Sequence, residues 1–419
     1  MCKHIFIAAF LWLCLLNKTE AQSLTIGQCY QLAQKNYPLI KQYAIIDKAR
    51  DYSLSNASKG YLPQLTAGGQ ATYQSDVTQV PISLPNVSIP TLSKNQYKLY
   101  GEVSQSITDL FTVKYQKELI NANTAVETQQ TEVELYKLKE RINQLYFGIL
   151  LIDAQVLQTE IMNKDLQSGL NRNSIAITNG IALKSSGDVL KAEMLKTEQH
   201  ITELKATRKG YSDMLSLFVN APVNEYTQLV KPLPDSLVPV INRPELRLFA
   251  IQKKTFEAQS KLVNTKTLPH FSAFLQGGYG RPALNMLNND FDVFYIGGLR
   301  LSWNLTSFYT YKQEKQLLSL SQHSLDIQKE TFLFNTNVVL KQQDNELKKL
   351  RTLIESDREI ISLRRNVTLS AQNQLEYGIA TTNDYVTYVN AEDRAKQDLI
   401  LHEVQLSLAI YNYKTTTGN

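Results

Sequence analysis

Residues 138–156 read LKERINQLYFGILLIDAQV, and their apolar positions Leu138, Ile142, Leu145, Ile149, Ile152 and Val156 alternate spacings of four and three. This is the pattern of a coiled-coil seam. N-terminal to it, Leu119, Val126 and Val133 keep the seven-residue interval, and residues 109–177 contain no proline and no glycine cluster. A single helix over that segment is about 100 Å long at about 1.5 Å per residue. It is several times longer than an ordinary globular helix. A rod of this kind cannot bury its seam within one compact domain, so its partners come from elsewhere in the chain or from further copies.

The 419-residue chain is sparse in glycine and proline, carries a formal net charge of +5, and has 20% charged residues, which fits a helix-rich folded protein. So small a charge gives no reason to expect nucleic acid as a partner. The N-terminus reads as a secretion signal at 1–21: a basic leader Met1-Cys2-Lys3-His4, an apolar run at 5–16, and small residues around Thr19-Glu20-Ala21. Cleavage after Ala21 removes Cys2 and Cys14 and leaves Cys29 alone, so no internal disulfide is expected. No mature segment reads as a membrane-spanning helix, because the best candidate is interrupted by Asp153. If the chain crosses a bilayer, it does so with strands.

The remaining pattern occurs twice. A helical segment broken at Asn36-Tyr37-Pro38-Leu39-Ile40 ends near Gly60 and Leu62-Pro63. Alternating strands follow at 64–73 and about 97–107, joined by a loop containing Pro81, Pro85 and Pro90. Ten residues is the length a tilted strand needs to cross a bilayer, and Tyr73, Tyr97, Phe111 and Tyr115 fall where an interfacial aromatic belt would lie. The long helix then stops at Asn179-Gly180-Ile181-Ala182, and a return helix is expected at about 189–219, capped by Ser185, Ser186 or Asp188. After a proline-containing linker at 221–241, Asn242-Arg243-Pro244-Glu245-Leu246 and Leu268-Pro269 repeat the first landmarks. Leu301-Ser302-Trp303-Asn304-Leu305-Thr306 lies over Val103-Ser104-Gln105-Ser106-Ile107-Thr108, and Tyr377-Gly378-Ile379-Ala380 over Asn179-Gly180-Ile181-Ala182. The chain therefore reads as an internal duplication, 22–220 and 242–419, each repeat being helix, two strands, long helix, tight turn and return helix. The second pair of long helices is expected at about 311–377 and 384–413.

Four strands cannot close a membrane barrel, and open edges are not tolerated in lipid. Pooling between chains meets both demands, and three copies give twelve strands.

Taken in order, the paired Asn-x-Pro openings, the Leu-Pro lead-ins to the strands, the Trp303-Asn304-Leu305 exit into a helix and the two Gly-Ile-Ala turns resemble the TolC-type outer-membrane efflux proteins. The resemblance covers the whole mature length. It implies a mainly α fold with β: a trimeric 12-stranded transmembrane β-barrel continued by a long periplasmic α-helical barrel of coiled-coil hairpins. It further implies an outer-membrane channel of a tripartite efflux or secretion system, a passive homotrimeric conduit in outer-membrane lipid that serves a periplasmic adaptor and an inner-membrane pump. By the same resemblance, the adaptor would dock on the turns Gly180, Ile181, Ala182 and Gly378, Ile379, Ala380, Thr381. The family's aspartate rings at the tip are not matched. Thr387 and Asn390 stand in those places, while Asp384 lies about one turn earlier and the first repeat offers Asp188. These four are the candidates for a pore constriction, and a helix N-cap role fits Asp188 and Asp384 equally well.

No catalytic constellation is present in the sequence. His200, His270, His323 and His402 are scattered, no phosphate-binding loop or Gly-x-Ser-x-Gly occurs, and one mature cysteine cannot build a zinc site. An enzyme is not expected, nor a cofactor, nor a metal. The competing reading is a secreted or periplasmic coiled-coil scaffold whose strands form a small soluble sheet.

Overall fold

The computed structural model describes residues 23–78, 91–180, 182–233 and 237–419. The expected signal peptide, the loop prolines Pro81, Pro85 and Pro90, and Ile181 lie outside them. In chain order the first half contains β1 (Ser23–Leu24), α1 (Ile26–Asn36), α2 (Gln42–Ser58), β2 (Gln64–Tyr73), β3 (Asn95–Ser106), α3 (Asp109–Tyr136), α4 (Leu138–Thr178), α5 (Lys184–Val219) and β4 (Gln228–Leu229). The second contains α6 (Pro244–Thr265), β5 (His270–Arg281), β6 (Asp292–Ser302), α7 (Ser307–Glu376) and α8 (Thr382–Thr417). Helix, two strands, long helix and return helix thus occur twice among the described residues. Several bounds differ from expectation. The first long helix is interrupted at Lys137, which keeps right-handed helical dihedrals (φ −61°, ψ −20°), so the hydrogen-bond ladder lapses locally without a change of direction. Its counterpart α7 runs unbroken for 70 residues.

The chain forms two units. The helical unit comprises the described parts of 1–41, 131–244 and 331–419. Here α4 and α5 form an antiparallel hairpin, and α1 and α8 also pack on α4. Three neighbours require a wider apolar stripe than a two-helix seam. Accordingly Leu138, Ile142, Ile149 and Ile152 are buried as their spacing predicts, Leu145 and Val156 are only half-buried, and Tyr146, Phe147 and Asn143 are fully enclosed. By length and composition residues 109–178 could cross a membrane, with a mean hydropathy of 1.3 over the best window, which corrects the expectation that no mature helix qualifies. Packing accounts for much of that apolarity, since Ile142, Phe147, Ile149 and Ile152 are covered by neighbouring helices.

The segment that begins at Ser23 is tied into this unit. β1 pairs in parallel with β4, and the Tyr146 hydroxyl lies 2.8 Å from the carbonyls of both Leu24 and Val230, joining the pair to α4. Thr25 opens α1 with a capping box completed by Gln28, whose side chain accepts from the Thr25 N–H at 2.8 Å. Asn143 accepts from the Tyr30 hydroxyl and donates to Asn412 and Thr415, so this buried amide is satisfied. Cys29 is free and wholly buried, and burial pushes its thiol up to about 12.

The strand unit comprises the described parts of 42–130 and 245–330. Its sheet has the order β2-β3-β5-β6, antiparallel throughout, with strands of 10, 12, 12 and 11 residues. Register places Leu65, Val103 and Leu275 in one row, Gly69, Leu99, Tyr279 and Val293 in another, and Gln64, Ser104 and Phe274 on the opposite face. One face is therefore apolar from Phe271 and Leu301 to Tyr97 and Tyr279, yet it is bare: Leu65 is 78% exposed, Leu99 68%, Val293 74% and Leu299 82%. A soluble sheet this size would cover such a face. The opposite face carries Glu102, Gln276 and Arg300 in mutual contact. Phe111 and Tyr115, expected near strand ends, lie on the first turns of α3. Helix α6 is held to its neighbours by ion pairs from Lys253 to Asp326, Lys261 to Glu118 and Lys266 to Glu314.

Candidate functional site

Two turns end the paired helices of the helical unit. At the first, Gly180 takes φ +74°, its N–H donates to the Ile177 carbonyl at 3.0 Å, and the Ala182 N–H reaches back to Ala176 at 3.2 Å. At the second, Gly378 takes φ +69°, and the N–H groups of Ile379 and Ala380 both donate to the Gln374 carbonyl, at 2.8 and 3.2 Å. These bonds satisfy the last helical carbonyls and let the chain reverse where only glycine adopts the left-handed conformation at little cost. A Cβ added at either glycine would meet nothing within 4 Å. Beside them Leu183, Tyr377 and Ile379 are 74%, 81% and 75% exposed. The turns thus present exposed apolar side chains beside unobstructed backbone. Ile181 lies outside the described residues.

The two return helices start differently. Leu183 is the N-cap of α5 and makes no side-chain cap, so neither Ser185, Ser186 nor Asp188 caps it; Asp188 lies beyond the first turn and is exposed. Helix α8 begins with a complete box: Thr381 accepts from the Asp384 N–H at 3.2 Å, and the Asp384 carboxylate accepts from the Thr381 hydroxyl at 2.6 Å and its N–H at 3.1 Å. These bonds hold the Asp384 carboxyl below its ordinary value. Asp384 is therefore the third residue of the box rather than an N-cap. Thr387 is exposed, and its hydroxyl donates to the Asn383 carbonyl at 2.8 Å. Asn390 turns instead toward a 430 Å³ cleft with Asp357, Arg364, Arg394 and Asp398. The four constriction candidates do not converge within one chain.

What is brought together beneath the turns was not singled out by the sequence. Met162 and Leu166 of α4, Leu190 of α5, Ala371 of α7 and Tyr385, Val386 and Val389 of α8 form one apolar cluster. Gly169 borders it: a Cβ added there would make ordinary contacts, 3.7 Å from Tyr385 and 3.8 Å from Leu190. Both hairpins share this core, so the turns belong to a common packed end. Beside it a 480 Å³ cleft is lined by Asp165, Arg172, Arg365, Glu392, Asp393 and Lys396 among others. Burial raises the Asp393 carboxyl, opposed by a 2.9 Å hydrogen bond from the Gln158 amide. The helical spacing of Glu392 and Lys396, paired at 2.8 Å, was a visible signal for one edge of this cleft. His402 Nδ1 lies 2.6 Å from Asp357 Oδ2, a further link between α7 and α8. No group of three or more metal-binding side chains occurs among the described residues.

No family model and no curated protein sequence matches the chain. Solved structures do. The outer membrane protein VceC from Vibrio cholerae superposes with a TM-score of 0.66 at 11% identity, covering 94% of this chain and 96% of that one. The Campylobacter jejuni CmeC outer membrane channel gives 0.63 at 12% identity over 94% and 85%. The open state of the Neisseria gonorrhoeae MtrE outer membrane channel gives 0.64 at 14% identity over 94% and 89%. The chain therefore has the fold of the bacterial outer-membrane channel proteins, across nearly its whole length.

Proposed function

We propose that this protein is the outer-membrane channel of a tripartite efflux or secretion system, a passive conduit made of three copies of the chain. The observation that carries the reading is the sheet. Its four strands have membrane-crossing length, one face is apolar and bare apart from Arg281 and Gln105 near its ends, the other is polar with an internal ion pair, and both edges, β2 and β6, lack a partner among the described residues. Lipid requires the apolar face, a wet lumen the polar one, and closure by further copies satisfies the edges. Three copies supply twelve strands.

On this reading residues 1–21 are the export signal, 22–220 and 242–419 are duplicated repeats joined by 221–241, and the helical unit forms the periplasmic extension. Gly180, Ile181, Ala182, Gly378, Ile379, Ala380 and Thr381 dock a periplasmic adaptor, which connects to an inner-membrane pump. Asp188, Asp384, Thr387 and Asn390 line the narrow end in threefold repetition. The scaffold alternative leaves the bare apolar face unexplained. Cell fractionation with unheated gel electrophoresis tests the proposal: the chain should enter the outer-membrane fraction, require detergent for extraction and migrate as a trimer until heated. Release into the periplasmic fraction without detergent would sink it.

A further inference from the structure

The sheet carries two arginines near the ends of β5 and β6, and they are treated oppositely. Arg300 lies on the polar face, where its two terminal nitrogens sit 3.0 and 3.2 Å from the carboxylate oxygens of Glu102. Arg281 is paired in register with Tyr97, which places it on the apolar face at the rim of the band. Its guanidinium lies over the Phe291 ring at 6.0 Å, and Phe291 stacks on both Tyr97 and Tyr279, at 6.2 and 5.5 Å. Its Nε donates to the Asn289 carbonyl at 2.9 Å, and Asn289 is itself fixed by the Ser93 N–H at 2.8 Å. The head group is thus held in one orientation. Yet among the described residues no carboxylate lies within ion-pair distance of it. The nearby Asp292 belongs to the opposite face and accepts from the Val293 N–H.

From this we infer that Arg281 is a binding site for the phosphate of an anionic lipid headgroup, and that the Tyr97–Phe291–Tyr279 stack sets it at the depth of the membrane interface. The inference rests on the channel reading, which makes the apolar face lipid-facing. A half-buried guanidinium with unpaired terminal N–H groups is costly in hydrocarbon and favourable beside phosphate, which its planar fork matches with two parallel hydrogen bonds. Tyrosine and phenylalanine at that level are the expected supports of an interfacial cation. The loop from β5 to β6 continues the patch with exposed Leu284, Met286 and Leu287, which fit the boundary between headgroups and acyl chains.

The test is lipid selectivity of the full chain reconstituted in phosphatidylcholine vesicles, read by electron spin resonance as the motionally restricted fraction of spin-labelled phosphatidylglycerol against spin-labelled phosphatidylcholine. The native chain should prefer phosphatidylglycerol roughly fivefold at this site. Arg281→Gln should abolish the preference and Arg281→Lys retain part of it, with trimer assembly unchanged in both. Phe291→Leu should weaken it by freeing the guanidinium. Equal selectivity in the native chain and Arg281→Gln overturns the inference, as does loss of the native preference in 10-fold excess inorganic phosphate over lipid, roughly a free-anion site's behaviour. A chain that never enters the vesicles overturns the channel reading, whereas one that inserts without selectivity overturns only the lipid site.

Discussion

Glu102 and Arg300 meet across an intervening strand: they lie on β3 and β6, β5 runs between them, and both Arg300 terminal nitrogens engage the Glu102 carboxylate. Gln276 of β5 adds a contact to the same carboxylate at 3.5 Å, so the pair ties three strands together on the polar face. Arg300 is half exposed, so solvent screening keeps the pair weak. A double-mutant cycle on Glu102→Gln and Arg300→Gln, read by thermal dissociation of the assembled protein, should show a small favourable coupling. Exchange of the two charges, Glu102→Arg with Arg300→Glu, should restore most of the loss from Arg300→Glu alone.

The alternation of faces makes a sharper prediction. Gln276→Cys on the polar face should react with a charged, membrane-impermeant maleimide in reconstituted protein, while Leu275→Cys should not. Cys29 gives no background, because it is buried and its thiol is pushed up to about 12, leaving almost no thiolate at neutral pH. Equal labelling at 275 and 276 is the result that would count against a barrel wall.

The turn glycines separate conformation from recognition. Gly180→Ala and Gly378→Ala should each cost about 1–2 kcal/mol of local stability through the left-handed φ alone, since a Cβ meets no neighbour there. Gly378→Asn should cost less. Gly378→Trp should leave trimers intact and abolish export; unchanged export with this variant rejects the docking role.

The capping box at α8 predicts a pH dependence. The Asp384 carboxyl is held below its ordinary value of 3.8 by the Thr381 hydrogen bonds, so its stabilising effect is full above that value and is lost as pH falls through the depressed one. Amide exchange over the first turn of α8 should therefore accelerate, relative to intrinsic exchange, only in that acidic window. Asp384→Asn should flatten the profile, and Thr381→Ala should cost about 1 kcal/mol at neutral pH.

Tyr146 anchors the N-terminal strand pair. Tyr146→Phe should remove the one hydroxyl proton shared by the Leu24 and Val230 carbonyls and cost about 1–3 kcal/mol in thermal unfolding. Faster exchange at Val230, whose N–H donates to the Leu24 carbonyl at 3.1 Å, should accompany it.

The sequence by itself determined the element types, the order in which they occur twice, the left-handed glycines at 180 and 378, and the two faces of β2, β3 and β5. These follow from periodicity and turn chemistry, which act over a few residues. Strand β2 was legible to its ends, because both its alternation and its flanking Leu62-Pro63 are local signals. Only the tertiary structure decided that β3 pairs with β5, joining the strands of the two halves into one sheet, since partners such as Tyr97 and Arg281, far apart in the chain, leave no local trace. It likewise placed Tyr146, Phe147 and Asn143 rather than Leu145 at the centre of α4, because the buried stripe depends on how many helices surround it. It assigned Asp384, the third residue of α8, to a capping box while leaving Asp188, the fifth residue of α5, outside the first turn. The difference lies in register and in the cap: Thr381 offers a hydroxyl to close the box, whereas α5 has Ser186 at the third place and Leu183 before it.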